Sequence, residues 1–245
     1  MAITDGIKAW WNFNVPDGTD SSGNLQTLTG TGNAYIANAT GLIGKGITVN
    51  ATSNGTISGS SVLSFGTGAF SMSMFVNLTG LGAGVVEGLV VKGTNPSDRE
   101  YQFWHGANIS VRFYTGTTSH YIGAVTIDSP LGATAAGVWK HIVITKPGDT
   151  NMNNIKIYVD SVLQNVTPNS LGTYAGMTTS TGLFNLGMLV TPATQRSSGI
   201  YDLVGLWNRE LSQLEIDALY NNRNGLDIFP PPLYNPKAGA MFQFF

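Results

Sequence analysis

Phe70-Ser71-Met72-Ser73-Met74-Phe75-Val76-Asn77-Leu78 (FSMSMFVNL) is the stretch that decides the fold class. Side chains alternate across a β-strand, so Phe70, Met72, Met74 and Val76 share one face and Ser71, Ser73, Phe75 and Asn77 the other. This period of two predicts a half-buried strand. Working outward, shorter runs of the same kind recur at 7–13, 85–92, 100–105, 108–115, 120–126, 138–145, 154–160, 183–188 and 200–207. Turn residues part them, as in His105-Gly106-Ala107-Asn108 and Pro147-Gly148-Asp149. Many short strands at this spacing predict an all-β protein, a two-sheet antiparallel jelly-roll sandwich.

Composition points the same way. Only 11% of the 245 residues are charged and 31 are glycine, so the polar surface is built from Thr, Ser, Asn and Gly, which favour turns and strand faces. The net charge is −2 and no basic run is long, which excludes the electrostatic footprint of a nucleic-acid binder. The chain has no cysteine, so disulfides and thiolate metal sites are excluded. No segment reaches the apolar length of a membrane-spanning helix, and no membrane insertion is expected. Met1 to Trp10 carries Asp5 and Lys8 and lacks the apolar stretch of a secretory signal. The expectation is a protein made in the cytosol that acts there or in a particle released by lysis.

One short helix is predicted near the C-terminus. Ser212 and Glu215 have the spacing of a capping box, with Leu211 and Ile216 at the staple positions. Ile216, Leu219 and Tyr220 form its apolar stripe, and Asn224-Gly225 is its expected stop. Beyond Asp227 the sequence becomes IFPPPLYNPKAGAMFQFF, and its proline run favours an extended segment. The expected division is a domain over 1–227 and an extended tail over 228–245. Phe229, Pro230, Pro231, Pro232, Tyr234, Phe242, Phe244 and Phe245 are the tail residues expected either to fold back on the domain or to dock on a partner subunit.

Several blocks, taken in order, resemble the concanavalin A-like lectin/glucanase superfamily, in particular the laminin-G-like domains of bacterial and phage proteins. They are Gly6 to Phe13 (GIKAWWNF) with Asp20 to Asn24 (DSSGN), Gly41 to Ile47 (GLIGKGI), the stretch from Phe70, Val91-Lys92-Gly93, Trp139 to Thr145 (WKHIVIT), Ile157 to Ser161 (IYVDS) and Tyr201 to Ser212 (YDLVGLWNRELS). The resemblance covers about residues 6 to 225 and implies two stacked antiparallel sheets with the first and last strands adjacent. Trp10, Trp11 and Trp207 would give those strands the aromatic mass to seal one core. The resemblance also implies a calcium ion at one rim, held by Asp20, Asn24 and Asp202 with backbone carbonyls; Leu203 stands where the family often has a second Asp. Without metal, Asp20 would form an Asx-turn and Asp202 would hydrogen-bond the same loop.

Catalysis is not expected. Glycoside hydrolases on this fold use two nearby carboxylates, and Glu87, Glu100, Glu210 and Glu215 fall in no such pattern. His105, His120 and His141 lack metal-ligand spacing, and His141 reads as a packed or rim histidine. Trp104, Tyr114, Tyr121 and Tyr174 are candidate sugar platforms, among which the sequence does not choose. The resulting expectation is a non-catalytic binding or docking protein: a bacteriophage virion structural component (capsid decoration, head fibre or tail) that exposes a laminin-G-like domain. Its partners would be other virion proteins or a second copy, and host-surface glycans. The alternative is a calcium-dependent carbohydrate-binding module of a bacterial surface protein.

Overall fold

The fold comes from a computed structural model that describes residues 1–14, 18–31, 39–79, 86–94, 97–116, 118–131, 136–189 and 195–230. Sixteen strands build two antiparallel sheets. The first contains β1 (Ile7–Trp11), β3 (Ala39–Thr40), β4 (Lys45–Val49), β6 (Phe70–Leu78), β11 (Trp139–Lys146), β12 (Lys156–Val159), β13 (Val162–Leu163) and β16 (Gly199–Trp207). Its order is β13-β12-β11-β6-β16-β4-β3, with β1 beside β16. The second contains β2 (Thr29–Thr31), β5 (Asn54–Ile57), β7 (Glu87–Lys92), β8 (Tyr101–His105), β9 (Ile109–Tyr114), β10 (Tyr121–Thr126), β14 (Val166–Leu171) and β15 (Phe184–Leu186). Its order is β14-β10-β9-β8-β7-β15-β5-β2. The first and last strands are neighbours, as the resemblance implied: Trp10 pairs with Gly205 and Trp11 with Val204.

The main core fills the space between the sheets. Phe70, Met72, Met74 and Val76 enter it from β6, and Tyr101, Phe103, Val111, Phe113, Ile122 and Ala124 from the second sheet. The other face of β6 departs from the half-buried expectation. Ser71, Ser73 and Phe75 are buried as well, because a second core lies outside the first sheet. It holds Trp10, Phe75, Val143, Tyr158, Leu203 and Trp207, covered by Leu211, Ile216 and Leu219. The three tryptophans therefore do not seal one core. Successive residues of a strand face opposite ways, so Trp11 enters the main core while Trp10 meets Trp207 edge-to-face at 6.1 Å in the second.

The covering helix is α1 (Gln213–Tyr220), with the predicted capping box formed between Ser212 and Glu215. Its stop differs from expectation. Asn221 takes the left-handed conformation (φ 47°) that ends the helix, a role Asn can fill because its short polar side chain tolerates that region. Ile228 and Phe229 pack against the second core. The Phe229 amide donates to Asp227 Oδ1, and Asn12 Nδ2 donates to the Phe229 carbonyl. The start of the tail is thus pinned on the domain's own surface.

Candidate functional site

The outer face of the second sheet, turned away from the main core, carries the candidate site. Strand alternation decides which side chains reach it. With Tyr101, Phe103, Val111, Phe113, Ile122 and Ala124 in the core, the residues between them point outward: Gln102, Trp104, Ser110, Arg112, Tyr121 and Gly123. Register then sets them side by side. Gln102 pairs with Arg112, Arg112 with Gly123, and Gly123 with Asn169. Trp104 and Tyr121 lie two residues along β8 and β10, on either side of Arg112.

Arg112 is the centre of this face. Its guanidinium carbon is 4.2 Å from the Tyr121 ring centroid and 5.1 Å from that of Trp104. Two such cation–π contacts hold the guanidinium in place between the rings. Tyr121 stands 5.7 Å from Tyr114, over which Arg99 is placed at 5.5 Å. Tyr114 in turn donates its hydroxyl to Gln102 Oε1. The face carries a continuous run of rings and cations, Trp104, Arg112, Tyr121, Tyr114 and Arg99.

Gly123 lets Arg112 and Asn169 close over the sheet between them. A Cβ there would lie 2.9 Å from Asn169 Oδ1, 3.0 Å from Arg112 Cγ and 2.5 Å from the Val111 carbonyl oxygen. No larger residue fits. Arg112 Nε and Asn169 Oδ1 are both buried and both lack a hydrogen-bond partner among the described residues. Buried polar groups are nearly always satisfied in native proteins, so such a pair calls for an explanation. Trp104, Arg112, Tyr121 and Asn169 are all partly exposed, so the accessible part of this face is the two rings and the outer end of Arg112, above the buried Nε and Oδ1.

The aromatics singled out in the sequence divide three to one. Trp104, Tyr114 and Tyr121 share this face, whereas Tyr174 sits in the main core. Arg112, Gly123 and Asn169 had no sequence signal of their own, because only strand register brings them together.

The rim residues are arranged as follows. Asp20 accepts from the amides of Trp10 and Ser22 through Oδ1 and of Gln26 through Oδ2. Asn24 donates to the Ile7 carbonyl and to Ser22 Oγ. Asp202 lies at the bulge of β16, where β4 and β1 meet end to end along one edge. It accepts from the amides of Ile43 and Leu203. Burial, opposed by these hydrogen bonds and aided by the charge of Asp227, pushes its pKa up to about 7. These bonds account for the burial of both carboxylates, and each still has lone pairs to offer an ion. Among the described residues no three acidic or histidine side chains group as a metal site. Of the tail residues, Phe229 contacts the domain and Pro230 is exposed; Pro231, Pro232, Tyr234, Phe242, Phe244 and Phe245 lie outside the described residues.

The four glutamates have separate structural partners. Glu215 pairs with Arg209 in the helix cap, Glu210 with Lys156, and Glu87 faces His105 at 3.4 Å. Glu100 accepts from Ser64, the Phe65 amide and the Ser180 amide at one end of the sandwich. His141 is buried between the rings of Phe75 and Tyr220, 2.8 Å from Ser73 Oγ, and burial pushes its pKa down to about 3. It packs, as its strand position suggested.

Comparison with known proteins agrees with this architecture. Curated protein sequences give no match. Among solved structures, the binding domain of Paraclostridial Mosquitocidal Protein 1 is similar with a TM-score of 0.65 at 17% identity, over 91% of this chain and 53% of that one. Domain 4 of AbnA, a GH43 extracellular arabinanase from Geobacillus stearothermophilus solved with arabinotriose, gives 0.63 at 18% identity, over 86% of this chain and 96% of that one. The binding domain of botulinum neurotoxin DC, solved with rat synaptotagmin II, gives 0.65 at 12% identity over 90% and 52%. The chain spans about half the length of the toxin domains it matches. The laminin-G family pattern matches residues 49–217, from the end of β4 into α1. On that match the chain belongs to the concanavalin A-like lectin/glucanases superfamily.

Proposed function

We propose that this is a non-catalytic binding domain that holds a glycan on the outer face of its second sheet. The observation that carries the reading is the partly exposed cluster in which Arg112 lies over the rings of Trp104 and Tyr121 on this face. Sugars present apolar ring faces, which match Trp104 and Tyr121, and hydroxyls, which accept from a guanidinium. Similarity to a domain solved with arabinotriose supports the reading. The separate structural partners of the glutamates support a role without chemistry.

Trp104→Ala removes a ring from the platform and one stacking partner of Arg112. We expect a loss of roughly tenfold or more in affinity for the best ligand of a glycan array, since central aromatics commonly carry about 2 kcal/mol of binding. Titration calorimetry on the wild type and the variant measures it, with a thermal melt to check folding. Unchanged affinity would remove the platform from this face.

The finer reading is a bacteriophage virion component that presents this face to host-surface glycans while its tail docks on other virion proteins or on a second copy. It rests on the weakly charged, cysteine-free composition and on the Pro- and Phe-rich tail. Co-sedimentation with a particle at fixed stoichiometry would support it; migration as a small species would favour a free lectin. Calcium held by Asp20, Asn24 and Asp202 is a separate proposal resting on the family resemblance. A melting midpoint raised by calcium and lowered by EDTA would support it, and identical melts would remove it.

A further inference from the structure

The same face carries positive charge that no carboxylate pairs with among the described residues. The four ion pairs among the described residues use His105, Lys140, Lys156 and Arg209. Neither Arg112 nor Arg99 is among them, and the Nε of each is buried with no hydrogen-bond partner among the described residues. The acidic neighbours of Arg99 in sequence are turned elsewhere. Glu100 faces Ser64, Phe65 and Ser180. Asp98 Oδ2 lies against Gly182, within 2.4 Å of where a Cβ would sit. Two arginines set over rings on one sheet face, with no acidic side chain paired to either among the described residues, give that face a local positive charge. A partly buried guanidinium without an anion is costly, and an anionic ligand offsets that cost.

The geometry selects the kind of anion. Arg112 lies between the rings of Trp104 and Tyr121, which hold its position, and its planar N–H fork is the group it offers a ligand. That fork matches the two oxygens of a carboxylate in a bidentate pair. We propose that the glycan bound here is acidic, and that Arg112 receives the carboxylate of a uronic or other acidic sugar. The inference rests on the glycan reading above and deepens it. Arg99, behind Tyr114, adds to the positive field, so binding weakens as salt rises.

The test is a glycan array carrying uronate-containing, sialylated and neutral members, probed with the full chain and with Arg112→Gln. Glutamine keeps the Cβ and Cγ that cover Gly123 and removes the charge and the fork; a thermal melt checks its fold. The expected result is binding confined to acidic glycans, lost by tenfold or more both in Arg112→Gln and when the best ligand's carboxylate is methyl-esterified. Neutral glycans bound as well as acidic ones, with Arg112→Gln unaffected, would overturn the acidic inference and leave the glycan reading standing. Binding to acidic glycans that persists in Arg112→Gln would also overturn it. No binding to any member would overturn the glycan reading itself.

Discussion

Phe70→Ala lowers the unfolding free energy by about 3–5 kcal/mol, the range for removing a fully buried phenylalanine. Phe70 is completely buried in β6 of the first sheet. Its ring centroid lies 4.8 Å from Phe65, 5.2 Å from Tyr101, 5.7 Å from Phe103 and 5.5 Å from Phe113. Three of these neighbours belong to β8 and β9, so this one ring joins the two sheets. Its loss leaves a cavity that rigid strands cannot close. Against a total stability of about 5–15 kcal/mol, the variant is at the margin of folding. Urea denaturation measures the loss, with Phe70→Leu, expected to cost about 1–1.5 kcal/mol, as the size control. A loss below 1 kcal/mol for Phe70→Ala would mean that the sheets are not joined there.

A second large effect comes from Asp202 and depends on pH. Its pKa is about 7 in the folded chain against 3.8 for the free group. Between these values the folded state holds a proton that the unfolded state has released, so stability falls as pH rises. The contribution is fully present below about pH 4, declines through the window and is lost above about pH 7. Its size is about 4 kcal/mol, at 1.36 kcal/mol per pKa unit. The test compares unfolding free energy against pH for the wild type and Asp202→Asn. Asparagine cannot ionise, and its lost acceptor adds an offset that does not vary with pH. Relative to the variant, the wild type should lose about 4 kcal/mol between pH 4 and 7 and run parallel above that. Parallel curves throughout would show that Asp202 is ionised in the fold.

What was legible in the sequence follows from the range of the signal. Nine residues that alternate except at Phe75 predicted β6 with its observed bounds, Phe70–Leu78. The same alternation misjudged its outer face, because Ser71 and Ser73 look solvent-facing until a helix more than a hundred residues later closes over them. Ser71 Oγ donates to the Arg209 carbonyl and accepts from the Leu211 amide, contacts that no local pattern contains. The strands Asn54–Ile57 and Val166–Leu171 went unread for a different reason. Their Asn, Gly, Pro and Ser content reads as turn, and Pro168 is tolerated because β14 is an edge strand.

The site divides along the same line. Trp104, Tyr114 and Tyr121 stand out by residue type. Arg112 and Asn169 do not, and they acquire meaning only when β9, β10 and β14 pair with Gly123 between them. Trp10 and Trp207 show the converse: prominent in the sequence, they are spent in the second core beneath α1.

The central claim is that the outer face of the second sheet, and not the rim around Asp20 or the helix-covered side, receives the ligand. Backbone amide shifts followed by NMR during titration with the best array glycan test it most directly. The account predicts that the largest changes fall on Trp104, Arg112, Tyr121, Gly123 and Asn169, while Trp10, Trp207 and the residues of α1 stay in place. Changes centred on the Asp20–Asn24 loop or on α1, with the Arg112 and Gly123 amides unmoved, would contradict it.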